Sequence, residues 1–89
     1  MSSNYDPEAF RAKVKAYLSE LEEMLVVKNA AYGDSALNPL RIFSKASAIE
    51  QINVRIEDKL KRIYNGDKSE DVEQDLTGYL ILKRIKERE

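Results

Sequence analysis

The stretch from Arg55 to Tyr79, R-I-E-D-K-L-K-R-I-Y-N-G-D-K-S-E-D-V-E-Q-D-L-T-G-Y, decides the fold. Its first ten residues carry apolar side chains at helical spacing, Ile56, Leu60 and Ile63, and stop at Asn65-Gly66, a standard helix terminus. Apolar residues resume at Val72, Leu76, Tyr79 and Leu80 with the same period. Two helices joined by a turn this short must fold back on each other. In that hairpin Asp58 is expected level with Asp75, and Arg62 level with Asp71. Three carboxylates and the guanidinium groups of Arg55 and Arg62 then share one seam beside the apolar face.

The pattern extends upstream. Ser47-Ala-Ile-Glu50 matches a capping box, so the helix carrying Ile49, Ile52, Ile56, Leu60 and Ile63 is predicted over 47–65. Asp67-Lys-Ser-Glu70 is a second capping box and predicts the following helix over 67–88. Near the start, Asp6-Pro7-Glu8 supplies an N-cap, a proline at the first helical position and an early acid. A stripe of Phe10, Val14, Tyr17, Leu18, Leu21 and Leu25 follows, predicting a helix over 7–28. Glu20, Glu22 and Glu23 lie largely off that stripe and read as a solvated face. Residues 29–46 form a linker punctuated by Gly33, in which Asn38-Pro39 allows a short helix over Leu40 to Lys45. The expected architecture is all-α: one domain over 1–89, three main helices plus a short linker helix, the bundle completed by oligomerisation to a dimer or higher.

Composition narrows the chemistry. The chain has 89 residues, no histidine and no cysteine. The commonest general base and any zinc–thiolate site are therefore missing, and catalysis would rest on carboxylates, lysines, tyrosines or a hard metal such as magnesium. Fifteen basic residues face sixteen acidic ones, a balance unlike that of a general nucleic-acid binder. No apolar run approaches the roughly 20 residues of a membrane span, and the polar start M-S-S-N-Y-D-P lacks the basic and apolar regions of a signal peptide. These features predict a soluble, cytoplasmic chain.

The charged seam has two readings. As a salt-bridge ladder it pairs Arg62 with Asp71, and Arg55 or Lys59 with Asp75. Exposed pairs of that kind contribute roughly 0–1 kcal/mol each. As a site, Asp58, Asp71 and Asp75 supply hard oxygen ligands for a divalent metal, while Lys59, Arg62 and Lys28 meet phosphate oxygens. Gly78 continues the acidic stripe. A helical glycine costs about 1 kcal/mol against alanine, so it points to close packing or to room for a ligand. In the linker, Tyr32 between Lys28 and Gly33 is placed to stack on a base, with Ser35 or Asn38 to hydrogen-bond its edge. The bland reading of Tyr32-Gly33 is a helix cap over the bundle end.

Three ordered blocks carry a family resemblance: Lys28-Asn29-x-x-Tyr32-Gly33-Asp34-Ser35, Asp58-Lys59-x-x-Arg62-Ile63, and Glu70-Asp71-x-x-x-Asp75-Leu76-x-Gly78-Tyr79. Over roughly Lys28 to Leu82 the chain resembles the small phage and bacterial nucleotide modification associated domain proteins, which are similar to the all-α MazG and dimeric dUTPase type of nucleotide pyrophosphohydrolase. The resemblance implies an oligomeric bundle acting on a (deoxy)nucleoside triphosphate, with Mg2+ held by Asp58, Asp71 and Asp75. Asp58 and Asp75 then serve catalysis, while Lys28, Tyr32, Ser35, Lys59, Arg62 and Tyr79 bind substrate. The products implied are a nucleoside monophosphate and pyrophosphate. The pattern departs from the MazG type on the first metal helix. Where those enzymes carry E-E-x-x-E, this chain reads Arg55-Ile-Glu-Asp-Lys-Leu-Lys-Arg62, with one usable acid among four basic residues. That departure favours a second reading, a phage protein that sequesters a nucleotide or a nucleotide second messenger without turnover. A third reading is a helical interaction protein whose seam is purely structural.

Overall fold

The computed structural model describes residues 4–89; the Met1–Ser3 part of the polar start lies outside them. Among the described residues the chain forms three helices and no strand: α1 (Pro7–Ala31), α2 (Ala48–Tyr64) and α3 (Val72–Glu87). The all-α expectation therefore holds. No helix among the described residues is long and apolar enough to cross a membrane.

Each helix starts on a carboxylate or hydroxyl that satisfies backbone N–H groups the helix leaves unpaired. Asp6 accepts from the N–H groups of Glu8 and Ala9 at 3.0 and 3.3 Å, and Ser47 accepts from Glu50 at 3.1 Å. α1 runs to Ala31, three residues past the predicted Lys28. Asn29, Ala30 and Ala31 do not break a helix, and the chain turns only where Gly33 adopts φ +61°. There the Asp34 N–H donates to the Asn29 carbonyl at 3.0 Å and the Gly33 N–H to the Ala30 carbonyl at 3.4 Å, the paired bonds of a Schellman terminus. α2 ends in the same motif. Gly66 at φ +72° allows Asp67 to donate to the Arg62 carbonyl and Gly66 to the Ile63 carbonyl, both at 3.0 Å.

That terminus corrects the predicted start of α3. Asp67 is already engaged: its backbone N–H closes α2, and its carboxylate accepts from the Ser69 N–H and hydroxyl at 2.8 and 2.6 Å. It is therefore not an N-cap. The cap is Asp71, which accepts from the Gln74 N–H at 3.0 Å, and α3 begins at Val72 instead of residue 67. The short linker helix is also absent. Residues 32–37 form turns and residues 40–45 are non-helical. Arg41 sits at φ +60°, a conformation that interrupts a right-handed helix. Its guanidinium donates to the Lys45 carbonyl at 2.9 Å while the Lys45 ammonium donates to the Arg41 carbonyl at 3.1 Å, closing the segment as a loop.

α2 and α3 pack along each other as the predicted hairpin, and α1 reaches α3 through a shorter patch at its C-terminal half. Gly78 is the contact point. A Cβ built there would stand 3.1 Å from Leu25 Cδ2 and 3.3 Å from Met24 Cε, so the missing side chain is what admits α1. Among the described residues the buried apolar ones are few: Leu21, Ala48, Ile52 and Val72. Residues 4–20 are exposed throughout, and the molecule extends over 60 × 32 × 23 Å.

A cationic cleft between the helices and the linker

The C-terminal half of α1, the linker, and the facing sides of α2 and α3 enclose a cleft of about 840 Å3. This lies in the usual size range for small-molecule sites. Four cationic side chains line it, Lys28, Arg41, Arg55 and Lys59, against two carboxylates, Glu70 and Asp75. Tyr32, Phe43 and Tyr79 supply aromatic surface. Tyr32 is 67% exposed and Phe43 fully so, which leaves both rings free to stack at the mouth.

The centre of the cleft is an ion cluster joining all three helices. Lys28 of α1 donates to Asp75 of α3 at 2.9 Å. Lys59 of α2 lies 3.8 Å from the other Asp75 oxygen and donates to Glu70 at 3.1 Å. The Lys59 and Asp75 side chains are only 12% and 14% exposed, so their pairing is shielded from water, whereas Lys28 is half exposed. The hydrogen bond to Asp75 raises the pKa of Lys28 above the ordinary lysine value, against the opposing effect of burial. Lys28 thus stays an ammonium. With three N–H donors and one directed at Asp75, it retains donors for a further anion.

A second ion cluster lies at the hairpin end. Arg62 donates to Asp67 at 2.8 Å and also to Glu70. Hydrogen bonds from the Ser69 hydroxyl and N–H, then that from Arg62, hold the Asp67 carboxyl down at about 2. The bond to Asp67 in turn raises the Arg62 pKa. Arg62, Asp67 and Ser69 tie the α2–α3 turn together and do not line the cleft, whereas Glu70 joins this corner to Lys59 within it.

Of the side chains singled out from sequence for substrate, Lys28, Tyr32, Ser35, Lys59 and Tyr79 line the cleft and Arg62 does not. Of the expected ladder pairs, Lys59 with Asp75 is present and Arg62 with Asp71 is not. Asp75 meets Lys59 and Lys28, while Arg62 meets Asp67 and Glu70 in place of Asp71. Asp71 is engaged as the α3 N-cap, and Asp58 is exposed on α2 outside the cleft lining. Asp58, Asp71 and Asp75 therefore do not converge. Among the described residues no group of three or more carboxylates is placed to hold a metal, and the donor set does not fit the magnesium clamp implied by the resemblance. Arg41 and Phe43 were not singled out, because a linker read as helix conceals which side chains border the cleft. Arg55 was assigned only to the ladder. Its i,i+4 spacing to Lys59 puts both on one face of α2 and was the available signal.

The fold and cleft define a three-helix α protein with a cationic, aromatic-rimmed cavity. Comparison with family models, with curated proteins and with solved structures gives no match to this chain.

Proposed function

We propose that the cleft binds a nucleoside phosphate, holding the phosphate on lysine ammonium groups and the base against an aromatic ring, without a need for turnover. The observation that carries this reading is the convergence of Lys28 and Lys59 on Asp75 inside a cavity where cations outnumber acids four to two. Phosphate oxygens add to such a pair by taking the ammonium donors that Asp75 leaves free, and lysine serves as a point charge for that purpose. Arg55 and Arg41 extend the positive surface along the lining. Tyr32 offers an exposed ring next to Lys28, one helical turn away; stacking of a base on such a ring contributes roughly 1–3 kcal/mol.

Binding is favoured over magnesium-dependent hydrolysis by what the acids do. The Asp75 carboxylate is engaged by two ammonium groups and that of Asp71 by the helix N-terminus. A nucleotide-sequestering role, in the phage setting that the resemblance suggests and the cytoplasmic location that the polar start and composition suggest, fits this arrangement.

The test is isothermal titration with nucleoside triphosphates and cyclic nucleotides, with magnesium and with EDTA, assaying pyrophosphate in the same samples. Binding that survives EDTA without pyrophosphate release supports the sequestering reading. Magnesium-dependent release replaces it with the hydrolase reading. Absence of binding across the panel leaves the cleft cluster as a structural ladder and ends the proposal.

A further inference from the structure

The first half of α1 carries an apolar stripe that, among the described residues, no other helix covers, Phe10 meeting the ring of Tyr5. Phe10, Val14, Tyr17 and Leu18 are 57%, 39%, 43% and 52% exposed, although they continue the same helical face as the buried Leu21. Phe10, Val14, Tyr17, Leu21 and Met24 recur at alternating spacings of four and three, the seam of a coiled coil.

The size of the uncovered surface is informative. A compact monomer of 10.2 kDa exposes about 5,300 Å2 by surface scaling, whereas this chain exposes 7171 Å2. Its radius of gyration is 16.4 Å, against about 12 Å for a compact domain of this length. The excess of about 1,900 Å2 is spread over the chain, the exposed linker residues Leu40 and Phe43 included; a contact that removes about a third of it from each of two copies reaches the lower range of stable protein interfaces, about 1,200 Å2 in total.

We infer that a second copy of this chain covers the stripe, the two α1 helices pairing antiparallel about a two-fold axis near Lys15–Ala16. In that register Val14 lies opposite the partner's Tyr17, and Lys13 lies two residues out of level with the partner's Glu20, the usual flanking position of an antiparallel pair. The two-fold axis repeats each contact, so two Lys–Glu pairs flank the seam. Lys13 and Glu20 are both exposed and of opposite sign, so the face complements itself. Each α2–α3 hairpin then sits at an opposite end of the paired helices; Leu21 and Met24 are already engaged within their own chain, so the seam left for a second copy is Phe10, Val14, Tyr17 and Leu18. This inference is independent of the nucleotide reading.

Sedimentation equilibrium over a concentration series tests it, since mass action makes the dimer fraction concentration-dependent. The expected mass is twice the 10.2 kDa of the chain. The double substitution Val14→Glu and Leu18→Glu should return the monomer mass with helical circular dichroism retained, because neither side chain is in the buried core. A charge swap checks the register without touching apolar packing. Lys13→Glu should weaken the dimer about fivefold, from two lost exposed pairs, and Lys13→Glu with Glu20→Lys should restore it. A wild-type chain that stays monomeric at about 100 μM overturns the inference and assigns the stripe to a different protein. A dimer that persists undiminished in the double glutamate variant, or a charge swap that fails to restore association, also overturns it.

Discussion

Asp75→Asn separates an anion-binding cleft from a metal-binding one, because the two readings demand opposite results. Asparagine keeps the shape and one oxygen acceptor but removes the charge. The carboxylate lies 2.9 Å from Lys28 Nζ and 3.8 Å from Lys59 Nζ, so a phosphate bonded to either ammonium sits about 5 Å from it. At that separation two like charges repel by about 0.8 kcal/mol at the dielectric of water and about 3 kcal/mol at an effective value of 20. The cleft is open and Lys28 is half exposed, which favours the lower end. Removing the charge should therefore tighten phosphate binding by roughly 1 kcal/mol, about fivefold in Kd. The same change costs stability, because the Lys59–Asp75 pair is shielded. Weakening charge-assisted hydrogen bonds there costs about 1–2 kcal/mol, and each kcal/mol lowers Tm by about 4–8 °C in a chain of this size. The assay is calorimetric titration with a nucleoside triphosphate and with inorganic tripolyphosphate at low salt, where screening is weak, alongside thermal unfolding followed by circular dichroism. A folded Asp75→Asn protein with unchanged or weaker affinity for both ligands refutes the reasoning; loss of binding only when magnesium is present would show that the carboxylate serves a metal.

Three further outcomes follow from the packing and the turns. Ile52→Ala should destabilise the protein by about 2–5 kcal/mol in urea unfolding, a large part of the roughly 4–13 kcal/mol available to a chain this long, because Ile52 is one of four buried apolar residues among those described. Gly66→Ala should cost about 1 kcal/mol in the same assay; a Cβ would meet nothing within 4 Å there, so the cost is the backbone at φ +72°, and Gly66→Asn should recover part of it. The Asp67 carboxyl should titrate at about 2 by NMR, below its ordinary 3.8. Its folded-state pKa is depressed, so its stabilising contribution is complete above about pH 4 and lost as pH falls through 2. The urea midpoint of wild type should accordingly approach that of Asp67→Asn across that window, and a difference that persists at pH 2 would count against the Ser69 and Arg62 bonds as its cause.

Local signals settled most of the secondary structure. The Asp6-Pro7 start, the Ser47–Glu50 box, the Asn65-Gly66 stop and the helical apolar stripes are short-range features whose physics is contained in a few neighbouring residues. Each marks a terminus or face where the structure has one, and Lys28, Tyr32, Ser35, Lys59 and Tyr79, named from residue chemistry and the family resemblance, line the cleft. Where two local signals competed, sequence was insufficient. Asp67 and Asp71 both precede helical residues, and only the Schellman bond from Asp67 to Arg62 decides that Asp71 is the cap. That choice moves the start of α3 by five residues and takes Asp71 out of the site. The ion partners were likewise tertiary decisions. The charge pattern offered Arg55 or Lys59 to Asp75 and Asp71 to Arg62, whereas the α2–α3 register and the approach of α1 over Gly78 select Lys59, add Lys28, give Arg62 to Asp67 and Glu70 and leave Asp58 exposed. The cleft itself depends on a left-handed Arg41 in the linker, which local spacing does not encode. Sequence by itself thus determined which segments are helical and which faces are apolar, because those depend on contacts within a few residues; the tertiary structure decided which charges meet, because that depends on distances between segments far apart in the chain.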